Sequence, residues 1–217
     1  GRGRAREGDS RGVSDPALVV VAAGSSRRFG TDKLTQPLAG ATVLEWAVRS
    51  LWAPFPGWPL VLVVHPERVA LQREAWCGRD VRVVAGGERR QDSVRRGVDA
   101  TEASDDAVVL IHDGARPFVP PGDVRAVAEA ARRSGAALLA APIPDTVKRV
   151  GEGGAVEATV PRQGLVRALT PQGFRVGLLR RAWATASGSE WTDEAALVES
   201  IGAEVEAVPG DPRNVKV

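Results

Sequence analysis

Short runs of apolar, mostly β-branched residues recur along this chain with almost no polar residue inside them. They are Ala17-Leu18-Val19-Val20-Val21-Ala22, Leu60-Val61-Leu62-Val63-Val64, Val81-Arg82-Val83-Val84, Ala107-Val108-Val109-Leu110-Ile111 and residues 136–141. Strands with one wet face alternate polar with apolar residues, whereas near-continuous apolar runs suit strands covered on both faces. Between them, helical spacing occupies 42–52, 67–76, 92–101 and 122–134. Asp92 or Ser93 suits the cap of the third helix, and Pro121 suits the start of the fourth. This alternation predicts an α/β fold with a Rossmann-like, doubly wound, mostly parallel sheet.

The rhythm changes after residue 141. Pro142 and Pro144 leave the sheet, and 145–150 and 155–160 read as a β-hairpin around Gly151-Glu152-Gly153-Gly154. An isolated hairpin is marginal in water, so this protruding arm, about 142–162, predicts a partner subunit. Helical spacing returns at 175–186 and 193–201, with Thr192 as the expected cap of the second. Residues 1–15 are polar and glycine-rich and predict a disordered tail, leaving 16–217 as a single domain. The sequence contains no methionine, a first one included, which implies that it is not the whole translated product.

Composition excludes more than it selects. The 27 acidic residues nearly balance the 29 basic ones, and no basic stripe with interleaved aromatics marks a nucleic-acid surface. No apolar run approaches the roughly 18 residues of a membrane span. The single cysteine, Cys77, excludes an internal disulfide and fits a reducing cytoplasm.

Chemistry concentrates where the strand runs end, which is where open α/β sheets bind ligands. The first run feeds Ala22-Ala23-Gly24-Ser25-Ser26-Arg27-Arg28, a loop of small residues whose amides can cradle phosphate. It is neither the Gly-x-Gly-x-x-Gly dinucleotide fingerprint nor a Walker loop. The third run leads into Gly86-Gly87-Glu88, with Ser93 beyond, a stretch able to face a flat base. The fourth leads into His112-Asp113-Gly114-Ala115-Arg116-Pro117, where an acidic side chain suits hydroxyl, metal or phosphate groups. Only three lysines stand against twenty-six arginines, and Lys33, Lys148 and Lys216 each fall in a segment that reads as phosphate chemistry. His65 and His112 read as structural or hydrogen-bonding residues.

In this order the segments resemble the cytidylyltransferases of sugar and polyol phosphates, most closely those acting on 2-C-methyl-D-erythritol 4-phosphate. To the segments above the resemblance adds Asp145-Thr146-Val147-Lys148-Arg149, Arg162, Ala168-Leu169-Thr170-Pro171-Gln172, Thr192-Asp193-Glu194-Ala195 and Asn214-Val215-Lys216-Val217. It implies attack of the acceptor's phosphate oxygen on the α-phosphorus of CTP, with Mg²⁺ accompanying the nucleotide. Arg28, Lys33 and Lys216 would surround the triphosphate. Ala22, Ala23, Gly24, Ser26, Gly87, Glu88 and Ser93 would hold the nucleotide. Asp113, Arg116, Thr146, Arg162, Thr170 and Thr192 would receive the acceptor, the arm interlocking with that of a second subunit. The resemblance also implies a further helix beyond Val217. The chain departs from the family pattern at Ser26, where a second glycine is usual, at Asp32 before Lys33, where proline is usual, and at Glu88, where aspartate is common. Four rivals stand beside this reading: a ribitol 5-phosphate cytidylyltransferase, a purine- or molybdopterin-directed nucleotidyltransferase, an inactive nucleotide-binding scaffold of the same fold, and an α/β domain of unrelated activity.

Overall fold

The computed structural model describes residues 15–24, 33–185 and 190–217. The expected tail therefore lies outside the described residues apart from Asp15, as do Ser26 and Arg28 of the first loop. In chain order the strands are β1 (Ala17–Ala22), the short pair β2 (Pro37–Leu38) and β3 (Ala41–Thr42), β4 (Leu60–Val64), β5 (Val81–Ala85) and β6 (Val108–Asp113). They continue with β7 (Ala136–Pro142), β8 (Val147–Val150), β9 (Val156–Val160), β10 (Val166–Arg175) and β11 (Glu206–Pro209). The helices are α1 (Val43–Trp52), α2 (Val69–Ala75), α3 (Arg90–Ala100), α4 (Pro121–Ser134), α5 (Val176–Thr185) and α6 (Glu194–Glu199).

Seven strands form one sheet in the order β11-β7-β10-β6-β1-β4-β5. All pairings are parallel except those of β10, which runs antiparallel to both β6 and β7. The apolar runs explain the arrangement. Every residue of β4 and β6 is buried, because helices cover both faces of the sheet. Leu18 and Val20 pack with α1 and α4 on one side, and Val19 packs with α3, α5 and α6 on the other. That division follows from the two-residue period of a strand.

The helix starts follow local chemistry. At α1 the Thr42 hydroxyl accepts the Glu45 N–H at 3.1 Å while the Glu45 carboxylate accepts the Thr42 N–H at 2.7 Å. Pro121 opens α4 as expected, and Gly135 closes it in the left-handed region at φ +91°. Two caps differ from expectation. Helix α3 starts at Arg90, so Asp92 serves from inside the first turn by accepting the Arg89 N–H at 3.3 Å. At α6 the cap is Asp193 rather than Thr192, its carboxylate accepting the Ala196 N–H at 2.9 Å.

The arm forms as a separate two-stranded ladder of β8 and β9, with Val147 opposite Val160. Val150 and Val156 on it stand 54% and 62% exposed. Strands β10 and β11 were not expected as strands. The first fills the gap between β6 and β7 with a register shift between Ala168 and Gln172, and the second adds a parallel edge to β7. No described helix is long and apolar enough to cross a membrane.

Candidate active site

Strand β1 has β4 on one side and β6 on the other, so the connections leaving the sheet diverge there and open a crevice at the carboxyl ends of the strands. Three segments meet along it: Ala22-Ala23-Gly24 after β1, Gly86-Gly87-Glu88 after β5, and Asp113 to Arg116 at the end of β6. Backbone bonds hold them to the sheet, Gly86 N–H donating to Val64 at 2.8 Å and Gly114 N–H to Val21 at 2.9 Å. A Cβ on Gly86 would lie 2.3 Å from the Ala23 Cβ, and one on Gly114 would lie 3.0 Å from the Ala22 Cβ. The small residues are thus required by the closeness of the loops to each other. Ser93, buried in the first turns of α3, accepts the Gly87 N–H at 3.0 Å and so shapes the same loop. Glu88 is exposed.

The charged centre is Asp113. Its Oδ2 takes Lys216 Nζ at 2.9 Å and faces Arg116 Nε at 3.6 Å, and its Oδ1 faces Arg90 Nη2 at 3.4 Å. Burial opposes ionisation of this carboxyl, but Lys216 and Arg90 together outweigh it and hold the group at about 2. Glu194 beneath it takes Arg90 Nη1 on both oxygens at 2.7 Å. Three cations thus face two carboxylates, and Lys33 adds a fourth positive charge, its Nζ donating to a main-chain oxygen of Val217 at 2.6 Å. The surplus of positive charge makes the crevice attractive to anions.

A neutral network supports this centre from below. His112 Nε2 lies 3.0 Å from the Arg116 carbonyl, which can only accept, so Nε2 carries the proton and Nδ1 accepts from the Thr170 hydroxyl at 3.0 Å. Thr170 Oγ1 in turn accepts the Asp113 N–H at 3.1 Å. Asn214 is fully buried and donates to the Thr170 carbonyl at 2.8 Å, while its own backbone carbonyl accepts Arg116 Nη1 at 2.8 Å. That anchor sets the position of Lys216 two residues later.

Burial pushes the His112 imidazole down from 6.5 to about 4. Between these values the unfolded chain binds a proton that the folded chain refuses, so stability present above pH 6.5 is lost as the pH falls towards 4. Denaturant unfolding measured from pH 7 to 4 is expected to lose up to about 3 kcal/mol through this group. His112→Asn is expected to flatten the slope in that window.

The family model described as 2-C-methyl-D-erythritol 4-phosphate cytidylyltransferase matches residues 17–217. The chain belongs to this family. Among its relatives, a bifunctional enzyme IspD/IspF of Anaeromyxobacter sp. (strain Fw109-5) is 47% identical over 208 residues, which are 93% of this chain and 53% of that protein. The 2-C-methyl-D-erythritol 4-phosphate cytidylyltransferase of Acidobacterium capsulatum is 41% identical, over 92% of this chain and 90% of its own length. This chain therefore spans about half the length of its bifunctional relatives and nearly all of the shorter one. The crystal structure of 2-C-methyl-D-erythritol 4-phosphate cytidylyltransferase from Thermus thermophilus superposes with a TM-score of 0.78 at 36% identity, covering 94% of this chain and 93% of that one. The Rossmann-like α/β architecture expected from the sequence is thus the family's own.

Of the residues that the family resemblance singled out, Ala22, Ala23, Gly24, Lys33, Gly87, Glu88, Ser93, Asp113, Arg116, Thr170 and Lys216 line or adjoin the crevice. Thr146 and Arg162 do not join them within one chain. Both are exposed near the base of the arm, where Arg162 donates to the carbonyls of Ile143 and Pro144. Thr192 is exposed just ahead of the α6 cap. Sequence reasoning missed Arg90, Glu194 and Asn214. Arg90 lies beside Arg89 in a charged run, and nothing local in the sequence marks Asn214 as buried.

Proposed function

We propose that this chain transfers the cytidylyl group of CTP to 2-C-methyl-D-erythritol 4-phosphate, giving 4-diphosphocytidyl-2-C-methyl-D-erythritol and pyrophosphate, a step of isoprenoid biosynthesis. The observation that carries this reading is the cationic cluster around Asp113, set beside a tight small-residue crevice in a chain of this family. A phosphate monoester is largely ionised near neutral pH, with a second pKa near 6, so its oxygen needs no general base. That oxygen forms a bond to the α-phosphorus while the bond to the bridging oxygen breaks, and pyrophosphate leaves with the electron pair. The obstacle is the approach of two anions, which fixed cations and alignment lower.

The geometry supports a division of labour. An ammonium has three N–H donors. Lys216 gives one to Asp113 and Lys33 one to Val217, which leaves donors on each for phosphate oxygens. Arg28 would join them. Ala22, Ala23, Gly24, Ser26, Gly87 and Glu88 would bound the base and ribose, with Ser93 holding the loop. Asp113, Arg116, Thr170 and Thr192 would receive the acceptor. Among the described residues no three His, Cys, Asp or Glu side chains converge as a metal site. Mg²⁺ would accompany the triphosphate and offset part of its charge. In this reading the enzyme works in the cytoplasm, where its single thiol, Cys77, stays reduced.

The acceptor site is completed by a second copy of the chain, whose arm would bring Thr146 and Arg162. The exposed Val150, Val156, Leu165 and Val166 support this, since a two-stranded ladder with bare apolar residues needs a surface to cover them. Sedimentation is expected to give about twice the 22.9 kDa of one chain, and Val156→Asp is expected to shift it towards the single-chain mass with loss of activity.

The reaction is tested by pyrophosphate release with CTP and Mg²⁺, comparing methylerythritol phosphate with ribitol 5-phosphate. Strong preference for the first supports the proposal. Preference for the second moves the enzyme to polyol phosphate metabolism, and silence with both, in a chain that binds CTP, leaves a nucleotide-binding scaffold.

A further inference from the structure

Arg90 and Glu194 have no task in the reaction as described, yet they stand against its central carboxylate. Arg90 is the first residue of α3 and Glu194 the first of α6, so their pairing joins two helix starts to the end of β6. The Glu194 side chain is only 3% exposed, and both of its oxygens lie 2.7 Å from Arg90 Nη1. Burial pushes the Glu194 carboxyl up and the Arg90 charge opposes that. Buried ion pairs of this kind add little net stability compared with apolar residues of similar volume. An apolar pair would join the helices equally well, but it could not engage a further carboxylate.

The guanidinium can. It is planar and its donors are fixed in a fork. With Glu194 on Nη1, the plane is set and Nη2 is presented to Asp113 Oδ1 at 3.4 Å. Lys216 and Arg116 approach the other oxygen, Oδ2. Asp113 is thus engaged on both oxygens by groups from separate elements, which opposes rotation of its carboxylate. We infer that Arg90, braced by Glu194, is a positioning residue that fixes the Asp113 carboxylate for the hydroxyl groups of the acceptor. The identity of that acceptor rests on the function proposed above; the bracing itself does not.

The inference separates acceptor binding from nucleotide binding. Arg90→Lys keeps the charge but loses the fork, and Glu194→Gln keeps the shape but loses the charge. Each is expected to raise the KM for methylerythritol phosphate by about tenfold, the equivalent of ~1.4 kcal/mol, with the KM for CTP within about twofold. Should a single change unfold the chain by stranding a buried charge, the paired change Arg90→Gln with Glu194→Gln removes both charges, and the same rise is expected. An unchanged acceptor KM, or equal rises for CTP and acceptor, overturns the inference. If the unmodified chain used neither acceptor, the proposed function would fail, and crystal structures of the same variants would decide the bracing. A rotated Asp113 carboxylate supports it and an unmoved one overturns it.

Discussion

Alanine in place of Lys216 is expected to lower turnover by about 10²-fold or more while leaving the chain folded. The side chain is 51% exposed, so its removal opens no cavity in the core. Asp113 would keep Arg90 and Arg116, so no buried carboxylate is stranded. The loss therefore falls on the chemistry, where a fixed ammonium would face the charge that develops as pyrophosphate departs. Because that charge grows in the transition state, kcat is expected to fall more than the affinity for CTP. Lys216→Arg is expected to recover only part of the rate, since a guanidinium fork cannot occupy the place of a compact point charge. Steady-state kinetics with CTP varied at saturating acceptor measures both. Turnover of Lys216→Ala within about threefold of the unmodified chain would remove Lys216 from the catalytic set and weaken the argument from the Asp113 cluster.

The parts of this protein that could be read from its sequence are those whose physics is local. Strands β1, β4 and β6 lie in the middle of a sheet covered on both faces, so their apolar runs had no competing reading. The arm was legible because prolines and glycines bracket two short strands. Strand β10 was not, because Pro171 interrupts it, its register shifts at that point, and its neighbours are far away in the chain. Strand β11 is short, partly exposed and lies at the sheet edge. At the start of α6, Thr192 and Asp193 are both cap residues, and only the backbone decides between them. The site divides in the same way. Asp113 and the small residues of the crevice stand directly after strands and could be placed, whereas Arg90 and Glu194 are 104 residues apart and each resembles an ordinary helix-start charge.

Gly86→Ala is expected to raise the KM for CTP by about tenfold or more, and the reason lies in how little the loops can move. The added Cβ would stand 2.3 Å from the Ala23 Cβ and 2.8 Å from Ser93 Oγ. An alanine Cβ is fixed to its backbone, so the clash cannot be relieved by turning a side chain. Gly86 itself is held on both sides, its N–H on the Val64 carbonyl at 2.8 Å and its carbonyl on Arg96 Nη1 at 2.6 Å. Either the loop after β1 or the one after β5 must shift, and these two loops would bound the base. Overpacking of this kind costs about 1–3 kcal/mol, so a lower melting temperature is expected as well. Gly122→Ala is the matched control. Its Cβ would meet nothing within 4 Å, and the position lies in the first turn of α4. There alanine is expected to be neutral or to stabilise by up to about 1 kcal/mol. Calorimetric titration with CTP separates the two effects, because unfolding alone lowers the active fraction without changing the dissociation constant of what remains. Equal CTP affinity in both variants would mean that the contact between Ala23 and Gly86 closes the fold but does not shape the nucleotide site.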